Sequence, residues 1–478
     1  MKEAPFPSQD VQHNLSPESG IWVLLTLALG FVMAMIDVTA VNVALPDISA
    51  SLSVPLSGLV WVVDGYTLTF AALLLAGGAL ADRFGPKQVY QLGLALFITA
   101  SVLCALAAGG MMLVIARLLQ GIGAAMFMPS SLSLMTHAYR DDRHRAHMLG
   151  IWSAMVGVAA TVGPLVGGIL VSQFGWRSVF WINVPLGLLG IALAHLLIEA
   201  PQGHSRALSL VSHGYGVVIL GSLSYLLIEG PVLGWTSLTV LIAAIVVVAT
   251  AFLLVRRERS GTHPLLPKAL LNSSRFKAAT SIGFLINFSS FGQLFLLSLY
   301  LQQSRGSDPL TAGLQLVPTM AAITVGNYLS GRITARVGSR KPLMAGLGVS
   351  CLVSLLLALT IKEHTPFSYL VFGVMIMYVP LGIAIPAMTT TVMQLAGRQH
   401  ANSAAATLNA NRQIGALVGV ALMGTILHIV PDWDNRLPIV FGAFAFAYGL
   451  AAWLTVHYIN DSLSATTNAA SAKCTDAA

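Results

Sequence analysis

The 478 residues are 56% hydrophobic and only 9% charged, with a mean hydropathy of +0.79, which leaves too little polar surface for a water-soluble globule. The net charge of +7 needs no nucleic-acid partner, because the basic residues fall in short loops between apolar stretches, the run Arg140 to Arg145 among them. The expected class is an all-α polytopic membrane protein embedded in a lipid bilayer.

The first twenty residues are polar, carry Pro5, Pro7 and Pro17, and read as a tail without a cleavable signal peptide. Fourteen apolar stretches follow, each near the ~20 residues that a helix needs to cross about 30 Å of hydrocarbon. They are predicted at 21–45, 58–81, 88–108, 111–137, 146–171, 178–199, 207–229, 235–256, 276–303, 311–333, 342–361, 367–395, 401–430 and 437–459. A β-barrel would alternate apolar and polar positions, whereas Val240 to Val255 is almost continuously apolar. With the amino terminus inside, 19 of the 25 Lys and Arg lie on the inner side, four on the outer side and two, Arg117 and Arg412, within spans. Both termini are then cytoplasmic and the membrane is the inner, cytoplasmic one. Cys104, Cys351 and Cys474 suggest no disulfide framework.

In chain order, span 1 holds Asp37, an ionisable group at a depth where hydrocarbon tolerates none without a function. Span 2 holds Asp64 beside Trp61 and Tyr66, and span 4 holds Arg117 with Gln120 one turn on. Counting from the outer ends of the spans places these three charges at about 12, 9 and 9 Å, one layer in the outer half. A carboxylate that can trade an Arg partner for a proton meets the requirement of proton coupling. The alternatives are a purely structural Asp37–Arg117 pair and an Asp64 hydrated near the interface. Span 5 carries Gly157, Gly163, Gly167 and Gly168 with Pro164, a small-residue face suited to close packing.

The loop after span 2 reads Gly78 to Lys87 with Asp82, Arg83 and Gly85, and the loop after span 10 repeats it as Gly331 to Arg340 with Arg336 and Gly338. Both copies are 253 residues and eight spans apart, the mark of a transporter built from repeated bundles around a midplane site. The predicted division is a tail at 1–20, a six-helix bundle at 21–199, an inserted helix pair with linker at 200–274, a second six-helix bundle at 275–460 and a tail at 461–478. Between Asp308 and Asp432 the second half has one acid, Glu363, in an outer loop, so Arg412 is unpaired by sequence. It either faces a water-filled cavity or bonds backbone carbonyls. Candidate cavity residues are Trp61, Asp64, Tyr66, Gln120, Trp152, Asn287, Phe288, Phe291, Gln293, Gln315, Tyr378, Asn409 and Arg412.

The first loop resembles the signature between helices 2 and 3 of the major facilitator superfamily, and the span count resembles its fourteen-span drug:proton antiporter branch. Asp37 to Pro46 is similar to the first-helix motif of that branch, and Arg117 to Gly123 to its fourth-helix motif. Gly150, Ala159, Gly163, Pro164, Gly167 and Gly168 are similar to the antiporter motif of helix 5, and Trp176 to Gly187 resembles the start of helix 6. Pro86, Ala159 and Ala335 depart from the pattern. The resemblance implies a major facilitator fold of two six-helix bundles plus two helices, proton coupling by Asp37 and Arg117, a gating role for both loops, and sealing of the bundle interface by span 5. It likens Asp64 to a second-helix acid of exporters of cationic antiseptics and dyes.

The expected function is alternating-access export of hydrophobic, cationic drugs in exchange for protons, by a monomer, with no cofactor or metal and the proton gradient as the driving force. Export of an endogenous lipid, siderophore or metabolite is the alternative, and an uptake permease fits the span 5 motif less well. A membrane enzyme is disfavoured, since no paired metal-ligand spacing, nucleophile with base, or Walker-type loop is present.

Overall fold

The computed structural model describes residues 17–139, 141–199, 210–260 and 267–459, and every regular element among them is helical. The predicted cytoplasmic tails, part of the linker at 200–274, Arg140 and Cys474 lie mostly or wholly outside the described residues. Among the described residues fourteen helices are long and apolar enough to cross a membrane: Ile21–Leu52, Leu56–Phe84, Pro86–Ala105, Gly110–Ala138, His147–Phe174, Ser178–Leu197, Val211–Leu233, Leu238–Glu258, Ser274–Ser304, Pro309–Val337, Arg340–Thr360, Phe367–Gly397, Gln399–Ile429 and Trp433–Tyr458. They are numbered spans 1 to 14. Helix is the dictated form, because hydrocarbon offers no partner to a free backbone N–H or C=O.

One boundary differs by two turns. Span 1 was expected to stop at residue 45, before Pro46 and Asp47, yet its helix continues to Leu52 with Pro46 inside it. A membrane helix tolerates such a proline because neighbouring groups make good the lost backbone bond.

The halves repeat one packing plan. In the first, span 2 packs on span 4, span 3 on spans 4 and 6, and span 1 on spans 5 and 6. Eight spans on, span 10 packs on span 12, span 11 on spans 12 and 14, and span 9 on spans 13 and 14. The repeated loop is part of this symmetry. Gly85 and its counterpart Gly338 both take positive φ, 92° and 78°, which only glycine adopts without strain as one helix turns into the next. Lys87 Nζ then donates to the carbonyls of His195 and Ile198, at 3.1 and 2.6 Å, capping span 6. Arg340 Nη2 donates to Val456 O at 3.3 Å near the end of span 14. Each basic residue sits at the negative end of the last helix of its own half. Lys87 and Arg340 thus each tie the loop to the last helix of their own half.

Spans 7 and 8 pack against each other, and span 7 also lies on spans 2 and 13. Trp61 Nε1 donates to Glu229 Oε1 at 2.8 Å, and Thr425 Oγ1 to Leu227 O at 2.9 Å, so span 7 is bonded to both halves.

Candidate functional site

Five buried side chains from four spans meet in the first half. Arg117 Nη1 reaches Asp37 Oδ2 at 2.5 Å, and both side chains are excluded from solvent. The same guanidinium donates through Nε to Val62 O at 3.0 Å and through Nη1 to Gln120 Oε1 at 2.7 Å. The second carboxylate oxygen, Asp37 Oδ1, accepts from Gln120 Nε2 at 3.0 Å and from Asn183 Nδ2 at 2.8 Å. Ser101 Oγ accepts from the same two amides, at 2.8 and 3.3 Å. The rings of Tyr66 and Phe180 lie 4.7 and 5.8 Å from the guanidinium carbon and close the layer with apolar, cation-tolerant faces.

A charge pair in hydrocarbon is sustainable only when the remaining lone pairs and N–H groups are also satisfied. Here Asp37 accepts three bonds and Arg117 donates to a carboxylate, an amide and a carbonyl. The arrangement can therefore hold its charge separated from water, and a proton arriving at Asp37 would compete with a defined set of donors.

The placement of the expected residues is mixed. Asp37 and Arg117 meet as the depth count predicted, but Asp64 stands apart. Its neighbour Gly65 lies against Arg117, with a Cβ there 3.7 Å from Arg117 Cβ, while the Asp64 carboxylate is buried with both oxygens lacking a hydrogen-bond partner. Depth along a helix does not fix the direction in which a side chain points. Gln120, expected to line the substrate cavity, belongs to the Asp37 network. Trp61 faces Glu229 of span 7. Gln315 accepts from Ser307 Oγ at 3.2 Å near the Pro309 end of span 10, away from its middle. Asn287 donates to Gly283 O of its own helix, and Tyr378 is wholly buried in the second half. Trp152 packs edge-on against Phe31 at 4.5 Å with its Nε1 unbonded. Gln293 is buried with both amide atoms unpartnered, Phe288 is buried, Phe291 is half-buried, Asn409 is exposed and Arg412 is half-buried. Ser101 and Asn183 were not among the expected coupling residues; Asn183 stood only in a span 6 motif, and its place one helix turn after Val179 and Phe180 is the signal that was available.

Span 5 divides its small residues between two neighbours. A Cβ on Gly163 or Gly167 would meet Thr39 Oγ1 at 1.8 Å or Ala40 Cα at 2.7 Å, so these face span 1 within the first half. A Cβ on Gly168 would meet Pro309 O at 2.6 Å, and one on Gly313 would meet Pro164 O at 2.4 Å, so span 5 and span 10 touch backbone to backbone. Gly150 has nothing near it. Further along the same seam Thr161 and Thr324 share a hydrogen bond of 2.7 Å. Ser298 Oγ and Gln302 Nε2 of span 9 donate to the carbonyls of Asn42 and Val43 in span 1, at 2.7 and 3.0 Å. Val60 of span 2 lies against Gly424 of span 13. These contacts between the halves run from the side of the 53–55 and 305–308 loops to mid-helix. That side is outer in the orientation given by the charge count.

The Major Facilitator Superfamily profile matches residues 27–420 and again 279–472. A methylenomycin A resistance protein of Bacillus subtilis is 48% identical over 447 residues, covering 94% of this chain and 96% of the relative. One of Streptomyces coelicolor with the same description is 45% identical, covering 90% and 91%. Among solved structures, a peptide transporter crystallised with sulfate superposes with a TM-score of 0.68 over 91% of this chain and 93% of its own, at 15% identity, a likeness of fold.

Proposed function

Because the chain belongs to the Major Facilitator Superfamily, we propose that it is a proton-coupled exporter of small hydrophobic antibiotics, with methylenomycin A the first compound to test. The observation that carries the reading is the buried Asp37–Arg117 pair with its amide and hydroxyl partners. It is the one place among the described residues where a membrane-buried carboxylate has a partner it could exchange for a proton.

In this reading the 21–199 and 275–460 bundles rock about the midplane, and inter-half contacts on one side alternate with contacts on the other. Protonation of Asp37 releases Arg117, loosens the layer between spans 1, 3, 4 and 6, and favours one facing state; substrate favours the other. The working unit is a monomer in the inner membrane with both termini cytoplasmic, and the driving force is the proton gradient. A cationic compound is a second reading, favoured by the unpartnered carboxylate of Asp64.

The test is accumulation of methylenomycin A by proteoliposomes under an imposed pH gradient. Wild-type protein should accumulate it uphill, and Asp37→Asn should equilibrate it at best. Uphill accumulation by Asp37→Asn would remove Asp37 from the coupling step, and no wild-type accumulation would remove the compound.

A further inference from the structure

The second half of the molecule holds a guanidinium that no described residue balances. Arg412 is the fourteenth of the 31 residues of span 13, close to the middle of the membrane. It makes no hydrogen bond and no ion pair with any described residue. The acid of the second half that lies between Asp308 and Asp432, Glu363, is in a loop, where it accepts from Ser304 Oγ. In the first half, Asp37 is committed to Arg117. Asp64 is on the wrong level. Counting along the antiparallel spans from the Val60–Gly424 contact puts Arg412 opposite Ala72, roughly 12 Å inward of Asp64.

The surroundings suit a ligand better than a structural role. The aliphatic stem of Arg412 lies on Gly283 of span 9, where a Cβ would be 3.4 Å from Arg412 Cγ, and Leu408 and Met388 pack beside it. Arg412 is half-buried, and Asn409, one turn nearer the inner end, is exposed. An arginine at mid-membrane cannot present its charge to lipid, which argues that its exposed part is turned toward the interior between the halves, where transporters of this construction hold substrate. A planar guanidinium flanked by apolar side chains matches a monocarboxylate on a hydrophobic body, through two parallel charge-assisted hydrogen bonds.

We propose that Arg412 binds the carboxylate of the exported compound, so that the transported species is an organic anion. This rests on the export reading and settles what it leaves open, the charge of the substrate. The contrast with the cationic reading is one of access: the free carboxylate, Asp64, is sealed, whereas the free cation, Arg412, is partly open.

The experiment is calorimetric titration of the purified full chain with naphthoate, its methyl ester, inorganic phosphate and ethidium, repeated on Arg412→Gln and Arg412→Lys. Wild type should bind naphthoate roughly tenfold or more tighter than the ester, with phosphate weaker than naphthoate. Arg412→Gln should erase the difference between acid and ester, and Arg412→Lys should keep part of it. The comparison of acid with ester needs no variant, so misfolding of either substitution leaves a decisive result. Equal binding of acid and ester by wild type, absent binding of naphthoate, or a preference that survives Arg412→Gln overturns the proposal. The two readings fail separately. Proton-driven export of ethidium, unchanged in Arg412→Gln, would keep antiport and discard the anion site. Arg412-dependent binding of naphthoate without any proton-driven transport would keep the anion site and discard antiport.

Discussion

Asn183 donates its side-chain amide to Asp37 Oδ1 across 2.8 Å, tying the start of span 6 to the middle of span 1. The bond means that Asp37 is held by two neutral donors on one oxygen and by Arg117 on the other. Losing the proton therefore does not leave a bare charge, and gaining one must break or reorganise a three-residue cradle. Asn183→Leu should cost about 1–2 kcal/mol of stability and should lower proton-driven accumulation more than it lowers passive exchange of substrate. Parallel losses in both transport modes would mark Asn183 as a packing residue alone.

Removing one member of the buried pair should be worse than removing both. Asp37→Ala leaves Arg117 uncompensated and should destabilise the detergent-purified protein by about 3–5 kcal/mol, read from its thermal unfolding. The double substitution Asp37→Leu with Arg117→Met should recover much of that loss and remain unable to drive uphill transport. A double variant that pumps at the wild-type rate would reduce the pair to a structural brace.

Asp64 should behave in the opposite way on stability. Its carboxylate is buried without a partner, so Asp64→Asn or Asp64→Leu is expected to leave the melting temperature unchanged or raise it, by up to about 1–3 kcal/mol in free energy. A marked loss of stability would show that the carboxylate has a bonded partner in the membrane.

The seam between spans 5 and 10 offers a handle on conformation. Gly313→Val would drive its side chain into the Pro164 carbonyl, which a Cβ alone would approach to 2.4 Å, at a cost of about 1–3 kcal/mol to the state in which the seam is closed. Single cysteines placed near Pro309 and Leu45 should then become more reactive to impermeant thiol reagents added from outside. Unchanged labelling would show that the seam yields without opening.

The repeated clamp predicts a symmetric effect. Lys87→Ala and Arg340→Ala should each lower stability by about 0.5–2 kcal/mol through loss of a bonded cation at a helix end. Lys87→Arg should be tolerated, because it retains the charge and the donors. Melting curves of the three variants decide it.

Much of this architecture is readable from apolar length. The fourteen spans follow from the thickness of hydrocarbon, and the eight-span repeat of packing follows from the repeated loop. The meeting of Asp37 and Arg117 was also within reach, because a rise of about 1.5 Å per residue turns position into depth. Rotation about the helix axis is what that count lacks. Asp64 shares the layer and turns away from the pair, and Gln120, assigned to a cavity, turns into it. Ser101 and Asn183 escaped because a lone small polar residue in a membrane helix can bond its own backbone, as Thr39 does to Met35 O at 2.7 Å. The end of span 1 was missed because apolar length stops at residue 45, whereas the helix runs on through Pro46 to Leu52.

Span 7 sits across the line where spans 2 and 13 meet, bonded to the first half through Glu229 and Trp61 and to the second through Leu227 and Thr425. The meeting line of spans 2 and 13 is thereby covered with protein on its membrane side. The opposite flank, where spans 5 and 10 meet backbone to backbone, is packed by Gly168 and Gly313 instead, so the inserted helix pair makes the two flanks of the molecule unlike.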